Sequence, residues 1–402
     1  MGECFLGKVP NGIKVSERSM HNLPSLVTTS ITSSLLKASA APNTKSLLDY
    51  YHSSTPPTTA IMSLPETQKA IIFNTTTNTL SYDPSAPLPP ASASETEYLI
   101  QVHSTAITNG ELTWAPFVNW PEYHVPCYDV SGTILNRVAN SPFEPGQKVY
   151  GRVMADHEGT ARQYTTIIPS ETALVPKGLS MVEAASIPMS ALTAWQALFE
   201  QGLLTGSYDK GSVPRVDGEG QIIGGQAQGK RLLILGAAGG VGLMAVQFAK
   251  LAGAYVAGTA SSKNTAYLKE LGIDEVIDYT QISMQAWVAG DAAKKFDLVF
   301  DCAGRKSMLD GWHAVKDDGV YVSVVPGFKE PEGGKPAGVR TAWFVMVSRG
   351  EELERISRLI EKGVVKGTVD SVWKIEEFEE AFGKTAGGHA RGKVIIKLAD
   401  EE

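Results

Sequence analysis

Residues 231–236 read RLLILG, run directly into AAGGVG, and continue as an apolar-periodic stretch, LMAVQFAK. A short buried strand that turns through glycines into a helix constrains the surrounding fold more than any other feature of the chain. Ala237, Gly239 and Gly242 stand at the three positions of a GxGxxG fingerprint, with Ala at the first. Gly239 lets the backbone approach a pyrophosphate, and Gly242 allows the helix to pack closely on the sheet. The backbone of Ala238, Gly239, Gly240, Val241 and Gly242 then offers free N–H groups and a partial positive charge to phosphates. A bare strand-to-helix turn is the plain alternative, but the context on both sides favours a dinucleotide site.

Around this turn the rhythm is strand, helix, strand: YVAGTA, NTAYLKELG, EVIDY, FDLVFDCAG, SMLDGWHAVKDDG and VYVSVVP. Alternating β-branched runs and amphipathic helices predict an α/β chain with a doubly wound parallel sheet. The region before it is different. From Lys69 come KAIIF, EYLIQVHSTAI, VSGTIL, QKVYGRV and ARQYTTI, bounded by Pro, Gly, Asn and Asp, which predict a β-rich domain. With 402 residues there is room for two cores. The expected division is an extension at 1–61, a β-rich domain at 62–190, a dinucleotide domain at 191–340 with a Gly-rich surface insertion at 203–230, and a C-terminal part at 341–402.

The extension is rich in Ser and Thr, poor in acids, and carries Lys8, Lys14, Arg18, Lys37 and Lys45. It reads as a transit-like segment or as a disordered extension ahead of Met62, which leaves a cytoplasmic or a mitochondrial address open. A net charge of −7 without a basic cluster gives no footprint for nucleic acid, and no apolar run reaches the length of a membrane span. Cys4, Cys127 and Cys302 are too few and too scattered for a disulfide framework or a structural zinc lobe.

A dinucleotide that carries only a ribose 2′-hydroxyl is usually met by an acid about 20 residues past the glycines. This chain has GTASSKN there. Ser261, Ser262 and Asn264 can hydrogen-bond a 2′-phosphate and Lys263 can supply charge, so NADPH is the expected cofactor.

The ordered set VHSTAITNGELTW, VPCYDVSGTI, FEPGQKVYG, AASIPMSALTAWQAL, ILGAAGGVGLMAVQFAK, GTASSK, LGIDEVIDY, DCAG and HARGKVII resembles the medium-chain dehydrogenase/reductase superfamily. Within it the chain is most similar to the zinc-independent quinone oxidoreductase and enoyl reductase branch. The resemblance covers roughly residues 66–399 and implies a GroES-like β-rich catalytic domain plus a Rossmann domain, with the active site in the cleft between them. It implies that Tyr279 touches the 2′-phosphate, that the tail ARGKV with Lys393 and Val394 closes over the cofactor, and that Thr108 and Glu111 stand where the branch has Asn and Asp near the nicotinamide. It also implies a homodimer through the edge of the Rossmann sheet.

Zinc members of the superfamily hold a catalytic metal through three Cys, His or Glu ligands. Here AITNGELTW has no Cys, Tyr128 stands at the His position, and IPMS at 187–190 has neither Cys nor His, so no metal is expected. Hydride addition to a polarised C=C or a quinone asks less of the protein than alcohol oxidation does. The expected activity is therefore an NADPH-dependent, metal-independent reductase acting on a small conjugated molecule or quinone. Two alternatives stand beside it: an enoyl reductase of a polyketide or other secondary-metabolite intermediate, and a non-catalytic NADPH-binding protein. Tyr128 is the candidate acid. Trp114, Phe117, Trp120 and Tyr123 are candidates for the substrate pocket or, equally, for packing of a loop over the core.

Overall fold

The computed structural model describes residues 64–90, 95–202, 215–218, 222–223 and 227–400. The transit-like extension and most of the expected insertion lie outside the described residues. Strands β1 (Thr67–Asn74) and β2 (Thr79–Pro87) form an antiparallel pair. After them come β3 (Tyr98–Ile107), the four-residue helix α1 (Ala115–Val118), β4 (Tyr123–His124), β5 (Asp129–Ile134), β6 (Lys148–Arg152), β7 (Tyr164–Ile167) and β8 (Thr172–Leu174). Helices α2 (Met181–Ala185) and α3 (Pro188–Gln196) lead to a small hairpin, β9 (Arg215–Val216) with β10 (Ile222–Ile223).

The parallel sheet follows. It is built from β11 (Arg231–Leu235), β12 (Tyr255–Ala260), β13 (Glu275–Asp278), β14 (Phe296–Asp301), β15 (Val315–Ser323) and β16 (Arg340–Trp343), in the order β13-β12-β11-β14-β15-β16. Leu232, Leu233, Ile234 and Leu235 are all buried, as expected of a central strand covered on both faces. Helix α4 (Gly240–Leu251) starts at the end of β11. The last strands, β17 (Val369–Lys374) and β18 (Lys393–Lys397), leave this sheet: β18 pairs antiparallel with β3, giving the order β17-β18-β3-β5-β6-β8, with β7 also on β3. The C-terminal strands therefore complete the β-rich half that the N-terminal strands began. The mixed architecture is the α/β fold that the alternating apolar pattern predicts.

Trp195 on α3 meets Phe248 on α4 edge-to-face at 5.3 Å, and packs on Phe199 at 4.8 Å. The returning tail meets the parallel-sheet half at the glycine turn, where Gly239 forms a parallel bridge with Gly392, just ahead of β18. Among the described residues no helix is long and apolar enough to cross a membrane.

Close packing of α4 on its strand leaves no volume at Gly242, where a Cβ would lie 2.3 Å from the Gly236 carbonyl oxygen. Gly258 is equally tight, its Cβ position 2.6 Å from the Ala237 methyl. Gly242→Ala is expected to destabilise the protein by about 1–3 kcal/mol through overpacking against backbone that cannot step aside. Denaturant unfolding measures it; an unchanged midpoint would show that the turn yields.

Candidate functional site

The glycine turn is shaped by main-chain bonds. Gly236, at φ +84°, donates its N–H to the Thr259 hydroxyl, and Ala237 donates to the Thr259 carbonyl. Gly239 caps α4 with no side chain bonded there, so the first-turn N–H groups face away from any protein cap. A Cβ on Gly240 would lie 2.6 Å from Ser190 Oγ and 3.2 Å from Lys393 Cδ. Ser190, on α3, and Lys393, on β18, thus flank the helix N-terminus. The tail docks there, Gly392 donating to the Ala238 carbonyl at 3.2 Å. These uncapped N–H groups and the volume kept open by glycine fit a pyrophosphate.

Lys393 and Val394 are both buried. The Lys393 ammonium makes an ion pair with Asp129 at 3.0 Å and donates to the Thr108 hydroxyl at 2.9 Å. Thr108 in turn reaches Met189 Sδ at 3.1 Å, and Asp129 accepts the Met189 N–H at 2.6 Å. Glu111, wholly buried, accepts from the N–H groups of Thr108 (3.0 Å) and Cys127 (3.1 Å). Burial outweighs those bonds and the nearby Lys393 charge, and pushes its carboxyl up to about 7.

Met189 also shares a buried cluster with Phe73, Trp120 and Tyr128, which begins the second part of the site. Tyr128 is fully buried, its ring stacked on Trp114 at 5.6 Å and on Trp120 at 6.0 Å. Its hydroxyl lies 2.7 Å from His124 Nε2. The His124 ring stacks on Trp120 at 4.3 Å, nearly parallel, and Trp120 is anchored by its indole N–H on the Ala155 carbonyl at 2.6 Å. The Arg152 guanidinium, buried on the strand next to Asp129, lies 5.7 Å from the Tyr128 ring centre. Burial, then Glu111 and Cys127, raise the Tyr128 phenol far above its ordinary range, so it is held protonated.

The turn that presents Tyr128 is built from carbonyls. Those of Val125, Pro126 and Cys127 accept from Gly159, Thr160 and Ala161, and all three oxygens lie within 2.4 Å of where a Gly159 Cβ would stand. Cys127 has φ +65°, a conformation that favours glycine. Its thiol is pushed up by burial and by Glu111, which suits an inert packing group rather than a nucleophile.

Of the four aromatic pocket candidates, Trp114 and Trp120 join Tyr128 in this stack, while Phe117 is 80% exposed at the tip of α1 and Tyr123 is 63% exposed. At the far end of the dinucleotide surface, Ser262 and Lys263 are exposed, Ser261 and Asn264 are half-buried and joined side chain to side chain at 3.3 Å, and Tyr279 is 51% exposed. Sequence reasoning missed Asp278, whose carboxylate accepts the Ser262 N–H at 3.0 Å. The Thr280 hydroxyl and N–H, with that of Ser262, hold it below its usual range. It also missed His124, Arg152, Asp129 and Ser190. The spacing of His124 and Tyr128 in YHVPCY was the one available signal.

The donor set does not fit zinc: Tyr128, a phenol, stands within an aromatic stack, and no group of three His, Cys, Asp or Glu side chains among the described residues is arranged to hold a metal.

Residues 271–396 match a family model described as zinc-binding dehydrogenase. A probable zinc-binding oxidoreductase, mitochondrial, of Arthroderma benhamiae is 39% identical over 84% of this chain and 99% of its own length. The 2-methylene-furan-3-one reductase of Solanum lycopersicum is 32% identical over 68% of this chain and 63% of its own. The solved quinone oxidoreductase of Coxiella burnetii superposes with a TM-score of 0.66 at 25% identity, over 83% of this chain and 99% of its own.

The raised Glu111 carboxyl has a thermodynamic signature. A carboxyl higher in the folded state contributes its full share below its unfolded value, near 4.5, and loses it as pH rises through about 7. Relative to Glu111→Gln, the wild-type chain is expected to lose about 3 kcal/mol of stability between those pH values. Parallel stability curves for the two proteins would contradict it.

Proposed function

We propose, for a chain that belongs to the medium-chain dehydrogenase/reductase family and is an oxidoreductase of the quinone, enone and enoyl reductase type, an NADPH-dependent, metal-independent reduction of a conjugated C=C bond or a quinone. The carrying observation is the continuity of the site: Lys393 flanks the glycine turn, Thr108 and Met189 extend it, and Met189 belongs to the same buried cluster as Tyr128 and Trp120. That wall offers stacking surface and one hydroxyl, which suits a flat conjugated substrate and not a metal-bound alkoxide.

When bound, the reduced nicotinamide supplies a hydride. The N–H groups of Gly240, Val241 and Gly242 would hold its pyrophosphate, with Lys393 beside them. Ser261, Ser262, Lys263, Asn264 and Tyr279 would hold the 2′-phosphate. Thr108 and Glu111 keep the cleft's shape, Trp114 and Trp120 exclude water, and Phe117 and Tyr123 line the entrance. Tyr128 donates to the oxygen on which charge develops. The enone reductase of tomato supports the conjugated substrate class, and the mitochondrial relative, with the Ser/Thr-rich basic extension, supports a mitochondrial address. Exposed Trp343 on the edge strand β16, with Val345 and Val347 after it, supports a homodimer through that edge.

Asp278 favours a second reading, NADH, because a carboxylate at Ser262 suits a 2′-hydroxyl and repels a phosphate. The two are separated by substitution. Lys263→Glu is expected to lower the NADPH-over-NADH ratio of kcat/KM by about tenfold or more, the scale of one charge-assisted hydrogen bond, and Asp278→Asn to raise it. A ratio unmoved by Lys263→Glu would remove the phosphate site from these residues. Turnover of NADPH with a panel of enones, quinones and enoyl thioesters tests the activity itself; absence of turnover with all three would leave the non-catalytic reading.

A further inference from the structure

The described residues contain one carboxylate, imidazole and phenol in series, and it ends at Tyr128. Glu158 Oε2 lies 3.6 Å from His124 Nδ1, and His124 Nε2 lies 2.7 Å from the Tyr128 hydroxyl. The three members differ in access: the Glu158 side chain is 38% exposed, the His124 side chain 1%, and Tyr128 is fully buried. Each is held in place independently of the others. Glu158 accepts the Val125 N–H at 2.8 Å, His124 is stacked on the anchored Trp120, and Tyr128 lies between Trp114 and Trp120.

A phenol so placed cannot act as an acid by itself. Losing its proton would leave a phenolate among Phe73, Trp120 and Met189, at the cost of an unpaired buried charge. It becomes a usable donor only if the proton is replaced as it leaves. We propose that Glu158, His124 and Tyr128 form a proton relay from solvent to the substrate, with Tyr128 as the group that touches substrate and His124 and Glu158 as positioning residues behind it; this rests on the reductase reading above.

The electron count closes without any further reactant. Addition of hydride to the β-carbon moves the C=C π pair toward the carbonyl oxygen as an enolate. The Tyr128 O–H bond breaks as an O–H bond forms on that oxygen, and the phenolate oxygen takes the proton from His124 Nε2 while Nδ1 takes one from solvent on the side of Glu158, whose carboxylate lies 3.6 Å away. Burial alone would raise the Glu158 carboxyl, but His124, the Val125 N–H and Arg162 together hold it below its ordinary value. Arg152 supplies a positive charge near the Tyr128 ring. For substrate to reach the hydroxyl a neighbour must give way. Trp114 is the half-buried one, carried on a segment whose ends, Gly110 (φ +80°) and Asn119 (φ +62°), are both left-handed.

The test compares the full-length wild type with Tyr128→Phe, His124→Gln, Glu158→Gln and the Tyr128→Phe/His124→Gln double variant, using an enone and NADPH. Single-turnover hydride transfer, steady-state kcat and KM, the solvent deuterium isotope effect and NADPH affinity by fluorescence are measured. A relay predicts a kcat lower by about 10²-fold or more in His124→Gln, a smaller loss in Glu158→Gln, and a solvent isotope effect that changes in both, with NADPH affinity unchanged. The double variant should be no slower than Tyr128→Phe alone. His124→Gln or Glu158→Gln with wild-type kcat and isotope effect, or losses that add in the double variant, overturns the relay while the reductase reading stands. If His124→Gln does not fold, the solvent isotope effect of Glu158→Gln, a change at a part-exposed position, decides. A wild-type chain that oxidises NADPH with no enone, quinone or enoyl thioester overturns both.

Discussion

The buried ion pair between Lys393 and Asp129 is the interaction on which the rest of the site turns. The two residues stand far apart in the chain, on β18 and β5, with side chains 7% and 0% exposed. Neither charge can be buried alone without a penalty of several kcal/mol, so each fixes the other. The ammonium also takes the Thr108 hydroxyl, and the carboxylate takes the Met189 N–H. One pair therefore brings together the end of β3, the start of β5, the start of α3 and the returning tail. The glycine turn is flanked by the same lysine, which makes the turn and the integrity of the β-rich half parts of one arrangement.

The dinucleotide half and the β-rich half solve different problems. At the turn, side chains are removed: a Cβ on Gly240, Gly242 or Gly258 would strike Ser190, the Gly236 carbonyl or the Ala237 methyl. At the opposite wall, side chains are added, and Trp114, Trp120, Tyr128 and His124 fill it with stacked rings. The family model's description speaks of zinc, yet the wall has the shape of a stacking surface. Such a wall offers aromatic area and polarisability rather than ionic ligands.

Much of the fold was legible in the sequence because its determinants are local. The apolar run Leu232–Leu235, the glycines after it and the helical period of LMAVQFAK lie within about one strand and one helix of each other, and the strand and α4 form there. The β-rich segments were legible for the same reason. The site was less so. Lys393 and Val394 came from resemblance, but nothing in the sequence pairs Lys393 with Asp129. Asp278 escaped because an acid was sought at the end of β12, whereas the one at the Ser262 N–H comes from the neighbouring strand. His124 and Tyr128 are close in sequence, yet they meet because the turn between them folds back, with Cys127 in a left-handed conformation that no pattern of apolar residues announces.

That turn is held by main chain and by two carboxylates, Glu158 on the Val125 N–H and Glu111 on the Cys127 N–H. The carbonyls of Val125, Pro126 and Cys127 are tied to the N–H groups of Gly159, Thr160 and Ala161, and a glycine is required where they converge. Position 128 is thus a socket: the backbone on either side of it is fixed by groups other than the side chain it presents. A side chain of different chemistry can be set there without rebuilding the loop.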